Sequence, residues 1–398
     1  MVPDGWHESK LGQLFKSRRA RGKAGLPTLS VTLDEGLVRR DSLDRKMDTT
    51  LAPEEHLLVR KGDIAYNMMR MWQGASGLAE HDALVSPAYV VLEPTERINP
   101  LFASYLFKTP RMVYLFWAYS HGLTRDRLRL YFDDFSLIHV TIPSVEEQKK
   151  ITQIVATWDR AIELVEKLIA NSQLQKRSLL QALLTATRRV PGFESSEWHV
   201  GKLGDLCSLR GGSGFKENYQ GESSGQYPFI KVSDFNNPRN STTIREANNW
   251  INEDVRKEIG ARVIPKHSVV FAKVGAALLS NRRRIVEVET IIDNNLMAAI
   301  PGRNTSTEFL YYLLQAVDFA KLVQEGAVPS INQTELAKVK VRYPSMGEQI
   351  RLAAILGRAE EENAALDNYR RVLITERNTL FRQLLTGKRR VKIEEEVA

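Results

Sequence analysis

Arginine, lysine and amide side chains gather at a few points of this chain in the combination that reading nucleic-acid bases requires. Arginine grips guanine bidentately, asparagine and glutamine grip adenine, and lysine and serine position phosphates. One set lies in Tyr66-Asn67-Met68-Met69-Arg70-Met71-Trp72-Gln73-Gly74, where Asn67, Arg70, Trp72 and Gln73 are the candidates, with Arg39 and Arg40 upstream. A second set runs through Phe229-Ile230-Lys231-Val232-Ser233-Asp234-Phe235-Asn236-Asn237, supplying Lys231, Ser233 and Asp234. It continues in Lys273, in Arg282-Arg283-Arg284, and in Asn294 and Asn295 after Asp293. Each of these positions also suits a solvated turn or a polar group satisfied beneath a loop. The net charge of +8 favours a polyanionic partner, because cations that displace condensed counterions from phosphate gain affinity. Lys16, Arg18, Arg19, Arg21 and Lys23 add an early basic cluster.

Bond-making chemistry is harder to find. Gly211-Gly212-Ser213-Gly214-Phe215 is glycine-rich but lacks the Lys-Ser/Thr of a phosphate loop and the spacing of a dinucleotide fingerprint, so it reads as a flexible turn. Gly387-Lys388 is followed by Arg389, which spoils the same match. The seven histidines stand singly, without metal-ligand spacing, so no metal site is expected. No nucleophile-base-acid set follows from spacing, and the Asn/Asp-Pro-Pro-aromatic tetrapeptide of amino-methyltransferases does not occur. The balance favours a binder over an enzyme, with no cofactor of its own. One cysteine, Cys207, excludes an internal disulfide framework. The chain opens on neither a basic nor an apolar run, and no stretch nears the roughly 20 apolar residues of a membrane span. The expectation is a soluble cytoplasmic protein that does not engage membrane.

The elements that must carry these residues are written twice. Trp6-His7-Glu8-Ser9-Lys10-Leu11-Gly12-Gln13-Leu14 returns as Trp198-His199-Val200-Gly201-Lys202-Leu203-Gly204-Asp205-Leu206. Pro143-Ser144-Val145-Glu146-Glu147-Gln148 returns as Pro344-Ser345-Met346-Gly347-Glu348-Gln349, and Leu183 to Val190 returns as Leu384 to Val391. A period near 200 is a domain duplication, far too long for a solenoid. Between the repeated blocks lie two inserts with almost no identity.

Strand-like alternation at Ile138, Val140 and Ile142, and at Val339, Val341 and Tyr343, meets a proline in each half. Ser144-x-x-Glu147 and Ser345-x-x-Glu348 then form capping boxes, the serine hydroxyl taking a first-turn amide and the glutamate returning to the serine amide. Apolar residues three or four apart follow from Ile151 to Leu184 and from Leu352 to Leu385 without proline. Some 40 residues at about 1.5 Å each give a rod of roughly 60 Å with a narrow apolar stripe that wants a partner. The two rods suit one another as an antiparallel coiled coil with a pseudo-twofold axis, though two core helices of an ordinary domain would show the same periodicity. Asn363 falls where Ile162 stands in the first rod, either as a register-setting seam residue or as a solvent-facing amide. In the inserts, Val90-Val91-Leu92 and Leu296 to Ile300 read as buried strands, and Phe102 to Phe107 and Phe309 to Leu314 as matching short helices. The fold class is mixed α/β: two similar α/β domains separated by two long helices. The boundaries expected are a domain over 1–142, a helical spacer over 143–190, a second domain over 191–343, a second spacer over 344–391 and a tail over 392–398.

The Trp-x-x-x-x-Leu-Gly openings at Trp6 and Trp198 and the Pro-Ser-x-x-Glu-Gln starts of the long helices make the chain resemble the specificity subunits of Type I restriction-modification enzymes. Ser86-Pro87-Ala88-Tyr89-Val90-Val91 and Phe271-Ala272-Lys273-Val274-Gly275-Ala276-Ala277 look like segments of target-recognition domains in that family. The resemblance spans essentially the whole chain. It implies that each insert reads half of a bipartite double-stranded DNA site, with the helices as a ruler. It implies two methylation subunits and a translocase/nuclease subunit as partners, which would own the S-adenosylmethionine, ATP and Mg²⁺ chemistry. Because the inserts differ, the half-sites should differ. A self-contained DNA-modifying or cutting enzyme and a coiled-coil adaptor that binds only protein remain as alternatives.

Overall fold

In the computed structural model, residues 3, 5–43, 51–124, 126–323 and 328–392 are described. Of the expected tail, 393–398 lie outside them. The chain divides into two compact units, residues 1–166 with 369–398, and residues 167–368. This division differs from the expected boundaries, since each unit takes part of both long helices.

In the first unit, β1 (His7–Lys10) and α1 (Leu11–Leu14) lead into β2 (Phe15–Arg18), then β3 (Leu29–Val31), β4 (Leu37–Arg39), β5 (Leu57–Val59), β6 (Ile64–Asn67), β7 (Ser76–Leu78), β8 (Ala83–Val85) and β9 (Tyr89–Pro94). Helices α2 (Pro100–Leu106), α3 (Pro110–Ala118) and α4 (Phe132–Ser136) precede β10 (His139–Ile142) and α5 (Val145–Leu184). The central sheet runs β2-β9-β6-β7, all antiparallel, while β1 pairs with β10. Phe15, Phe107, Phe116 and Phe135 pack edge-on and stacked at centroid distances of 5.3–6.1 Å, and that ring cluster backs the sheet.

The second unit repeats this order with β11 (His199–Lys202), α6 (Leu203–Leu206), β12 (Cys207–Gly211), β13 (Tyr227–Ile230), β14 (Thr243–Ile244), β15 (Trp250–Ile251), α7 (Glu253–Glu258), β16 (Val269–Ala272), α8 (Ala276–Leu279) and β17 (Arg283–Val286). Then follow β18 (Ile291–Ile292), β19 (Leu296–Pro301), α9 (Thr307–Ala316), α10 (Gln333–Ala337), β20 (Lys340–Tyr343) and α11 (Met346–Leu385). Its central sheet runs β12-β19-β16-β17, extended by β14 parallel to β17. The shared order β2-β9-β6-β7 and β12-β19-β16-β17 makes the inserts one α/β fold. The difference between them reaches into architecture, however: the second unit carries a separate β15-β13-β18 sheet where the first has the β3-β4 hairpin and the two-stranded β5-β8 sheet.

The long helices match the expected 40 residues each. In the first unit Arg377 Nη2 lies 2.8 Å from Asp159 Oδ1 and Arg370 Nη1 3.7 Å from Glu166, so partner numbers fall as one climbs the other helix, an antiparallel register. In the second unit Lys176 Nζ pairs with Glu360 at 3.1 Å, and Leu183 and Leu184 share a core with Leu352 and Leu356. Leu168 and Tyr369, counted in the apolar stripes, are more than half exposed. Asn363 turns its Nδ2 onto Ala359 O of its own helix at 2.8 Å rather than across a seam.

The capping boxes form only in part. Ser144 Oγ does accept from Glu147 N at 3.3 Å, but the Glu147 carboxylate turns inward, buried, onto Arg390. Glu348 likewise accepts from Ser196 Oγ at 2.5 Å, Trp198 Nε1 at 3.2 Å and Arg189 Nη2 at 3.5 Å. A buried carboxylate gains more from a charged or hydroxyl donor than from its own helix amide. The adjacent glutamines, also buried, pin the next helix: Gln148 Oε1 accepts from Asn99 N at 2.7 Å while its Nε2 donates to Pro143 O, and Gln349 repeats this with Ser306 N and Pro344 O. Asn99 and Ser306 are the N-caps of α2 and α9. The repeated Glu-Gln is thus a clamp that ties each long helix to its unit.

Candidate nucleic-acid interface

Both central sheets present the same end to the loops that carry the candidates. In the first unit this end holds the close of β6 and the start of β9, with Asn67 opposite Tyr89. The β6–β7 turn is tightly built: Asn67 Oδ1 accepts from Met69 N at 3.0 Å, Trp72 Nε1 donates to Met69 O at 3.0 Å, and Gly74 takes φ 86°, a left-handed value that favours glycine. Lys108 Nζ ties the turn down through Gly74 O at 2.8 Å and Leu33 O at 2.9 Å. Its burial lowers its pKa from the usual lysine value. Arg70 and Gln73 are left exposed on the turn, with Asn67 and Trp72 half-buried.

In the second unit the same end joins Lys273 to Asn295, whose carbonyl accepts from Lys273 N at 2.9 Å. Asp293 Oδ1 accepts from Asn295 N at 2.7 Å, holding Asn294 and Asn295 out in solvent. Arg282 is exposed and donates to Asn236 Oδ1, linking the β16–β17 connection to the 232–236 turn that carries Ser233. Lys231 Nζ reaches Gln220 Oε1 at 2.9 Å. Gly212 crosses here so close to the carbonyls of Ile292 and Asp293 that a Cβ would overlap both, so the glycine run is a close backbone approach rather than a flexible turn.

Four candidates stand elsewhere than a reading surface requires. Arg283 is buried, its guanidinium 3.6 Å from the Phe319 ring centroid and donating to Asn281 Oδ1 and Arg282 O, so it braces the connection from beneath. Burial pulls its pKa below the usual arginine range. Arg284 spends its guanidinium on the carbonyls of Asn240, Arg283 and Phe235. Asp234 is buried and accepts from Lys231 N and Asn248 N, a loop staple. Arg40 is half-buried with Nε on Ser30 Oγ at 3.4 Å, while its neighbour Arg39 is exposed in a bidentate pair with Asp41. Both arginines close the end of the β3–β4 hairpin opposite the turn that Lys108 reaches. In the early basic cluster, Arg18 is committed internally to Asp63 at 2.7 Å and Glu93 at 2.9 Å.

Sequence reasoning missed a segment. Residues 120–124 and 126–130 join the same end of the first sheet, with Leu130 N donating to Met68 O at 3.0 Å, and α3 packs on Met71–Gln73. Arg127 and Arg129 are exposed there. Alternating arginines in Arg125-Asp126-Arg127-Leu128-Arg129 were the available signal. Among the described residues no group of three or more His, Cys, Asp or Glu side chains could hold a metal, and no helix is long and apolar enough to cross a membrane.

A family model described as the Type I restriction modification DNA specificity domain matches residues 3–171 and again 195–374. The chain belongs to this family. The two matches coincide with the two copies of the repeated frame. Among relatives in this specificity family, the Type I restriction enzyme MjaVIII specificity subunit of Methanocaldococcus jannaschii is 21% identical over 98% of this chain and 94% of its own. The EcoR124I/EcoR124II specificity subunit of Escherichia coli is 21% identical over 58% of each. The fold is that of solved specificity subunits. A structure from a study of Type I assembly and conformational transition aligns with TM-score 0.62 at 18% identity over 97% of both chains. The Type-I restriction-modification system S subunit from M. genitalium aligns with TM-score 0.56 at 16% identity, over 96% of this chain and 99% of that one.

Proposed function

We propose that this specificity chain is a non-catalytic reader of duplex DNA, each unit recognising one half of an asymmetric bipartite target. The observation that carries the reading is that one sheet end, built alike in both units, displays different exposed side chains: Arg70 and Gln73 beside half-buried Asn67 in one, Arg282, Asn294 and Asn295 beside half-buried Lys273 in the other. A common scaffold with unlike readers predicts unlike half-sites. The paired helices set the half-site spacing, near a helical turn of DNA or roughly 34 Å. The partners are two methylation subunits and, through them, a translocase/nuclease subunit, all in the cytoplasm. S-adenosylmethionine, ATP and Mg²⁺ act in those subunits.

Mapping methylated adenines in the host genome with and without this gene tests the reading, and loss of one asymmetric bipartite motif is the expected result. Replacing Arg70 and Gln73 by alanine should abolish protection of one half-site in footprints and leave the other. A seven-residue insertion in α5 alone should shift the spacing of the methylated motif; an unchanged motif removes the ruler. Cutting or methyl transfer by the purified chain, given DNA, Mg²⁺, ATP and S-adenosylmethionine, would overturn the non-catalytic assignment.

A further inference from the structure

Leu123 is fully exposed, at 103% of its reference area, in a loop whose other exposed described residues are glycine, polar or charged. A single exposed leucine is ordinary on a protein surface. The loop beneath this one is not. His121 and Arg129 exchange both backbone hydrogen bonds, at 2.9 and 2.8 Å, and close the neck. Gly122 runs so near the Arg127 carbonyl that a Cβ there would overlap it, and Arg127 N donates to Thr124 O at 3.1 Å. Leu128 and Leu130 are buried anchors on the returning segment, and His121 Nε2 sits 3.2 Å from Asp134 Oδ1. Because Leu130 N is bonded to Met68 O, this finger stands beside the β6–β7 turn that carries Asn67, Arg70 and Gln73.

We propose that Leu123 is an apolar wedge that enters a base step of the DNA half-site read by the first unit. The inference rests on the reading of that unit as a DNA reader. Two features choose duplex DNA as the occupant. Arg127 and Arg129 stand exposed on the same finger, complementary in charge to the phosphates flanking such a step. The finger is also continuous with the candidate reading turn. A rigid neck matters because an apolar wedge unstacks bases only if its support resists being pushed back. Flexible steps, pyrimidine followed by purine, are the substrates such a wedge selects, so Leu123 contributes specificity at a position where no hydrogen bond is made.

The test uses the chain assembled with its methylation subunits and duplexes carrying the mapped target, with 2-aminopurine placed at successive steps of each half-site. The wild-type complex should raise fluorescence several-fold at one step of the first half-site. Leu123→Ala should remove that signal and weaken target binding about tenfold, while Leu123→Met keeps much of both. Thermal melting should not move, since the side chain is fully exposed. No unstacked step with wild type, or an equal signal with Leu123→Ala, overturns the wedge, as does failure of Leu123→Ala to assemble with the methylation subunits, which would make Leu123 a protein contact. If Arg70→Ala leaves the first half-site readable, the underlying reading has failed instead; if Arg70→Ala damages it and Leu123→Ala does not, only the wedge has.

Discussion

Arg390 grips Glu147 fork to fork, Nε 2.7 Å from Oε1 and Nη2 2.8 Å from Oε2, across 243 residues of sequence. The start of one long helix is thereby fastened to the residues just past the end of the other. Glu147 is buried and Arg390 partly exposed, so the pair is only partly screened by solvent. Glu147→Ala removes this bidentate contact from the guanidinium. It should lower stability by about 2–3 kcal/mol, less than a fully buried pair would lose, read as a shift of the denaturant midpoint. Glu348 meets Arg189 in the second unit only at 3.5 Å and shares its carboxylate with Ser196 and Trp198, while Arg189 also donates to Phe193 O and Ser196 O.

Each long helix ends on a residue in the left-handed region: Ala186 at φ 57° and Gly387 at φ 68°. Alanine is strained there and glycine is not. Ala186→Gly should stabilise by about 1 kcal/mol. Gly387→Ala should destabilise by more than that, since its Cβ would also press on Pro3. Equilibrium unfolding of the two variants should move in opposite directions.

Adjacent arginines in the second unit should separate stability from binding. Arg283→Ala removes a buried side chain from between Phe271 and Phe319 and should cost about 3 kcal/mol of stability. Exposed Arg282→Ala should leave unfolding unchanged and reduce the salt dependence of DNA binding by about one phosphate contact. Denaturant melts paired with salt titrations of the assembled complex read both; the converse pattern would reverse their roles.

Tyr66 lies wholly buried beneath the β6–β7 turn, stacked on Phe135, with its hydroxyl unpartnered among the described residues. Burial, with Asp134 and Asp133 adding to it, raises its pKa above the usual phenol value, so the group stays neutral. Tyr66→Phe removes an unsatisfied polar atom without changing shape. Stability should hold or rise by about 1 kcal/mol, with DNA recognition intact. A loss of recognition would show that the hydroxyl orders the turn.

Much of the frame was legible. Helix periodicity, the prolines at Pro143 and Pro344 and the strand alternation before them are local signals, and α5, α11, β10 and β20 stand where those signals point. The buried strands β9 and β19 and the helices α2 and α9 follow for the same reason. The Glu-Gln pair was misread because Ser-x-x-Glu is also a capping pattern, and only distant partners, Arg390 for Glu147 and Arg189 for Glu348, redirect the carboxylates inward.

The candidate surface was legible in composition and not in orientation. By itself the sequence determined a duplicated α/β frame, two unlike inserts and a store of arginines and amides within them, because repeats, periodicity and composition are properties of the string. Tertiary structure decided which of those side chains meet solvent. Within Arg282-Arg283-Arg284 one guanidinium is exposed, one is buried on Phe319 and one is spent on carbonyls. Pairing of Phe271 with Arg283 fixes that choice, since a one-residue slip in a strand exchanges its two faces. The finger of Leu123 was likewise invisible until Leu130 was bonded to Met68, a contact 62 residues apart that no local pattern encodes.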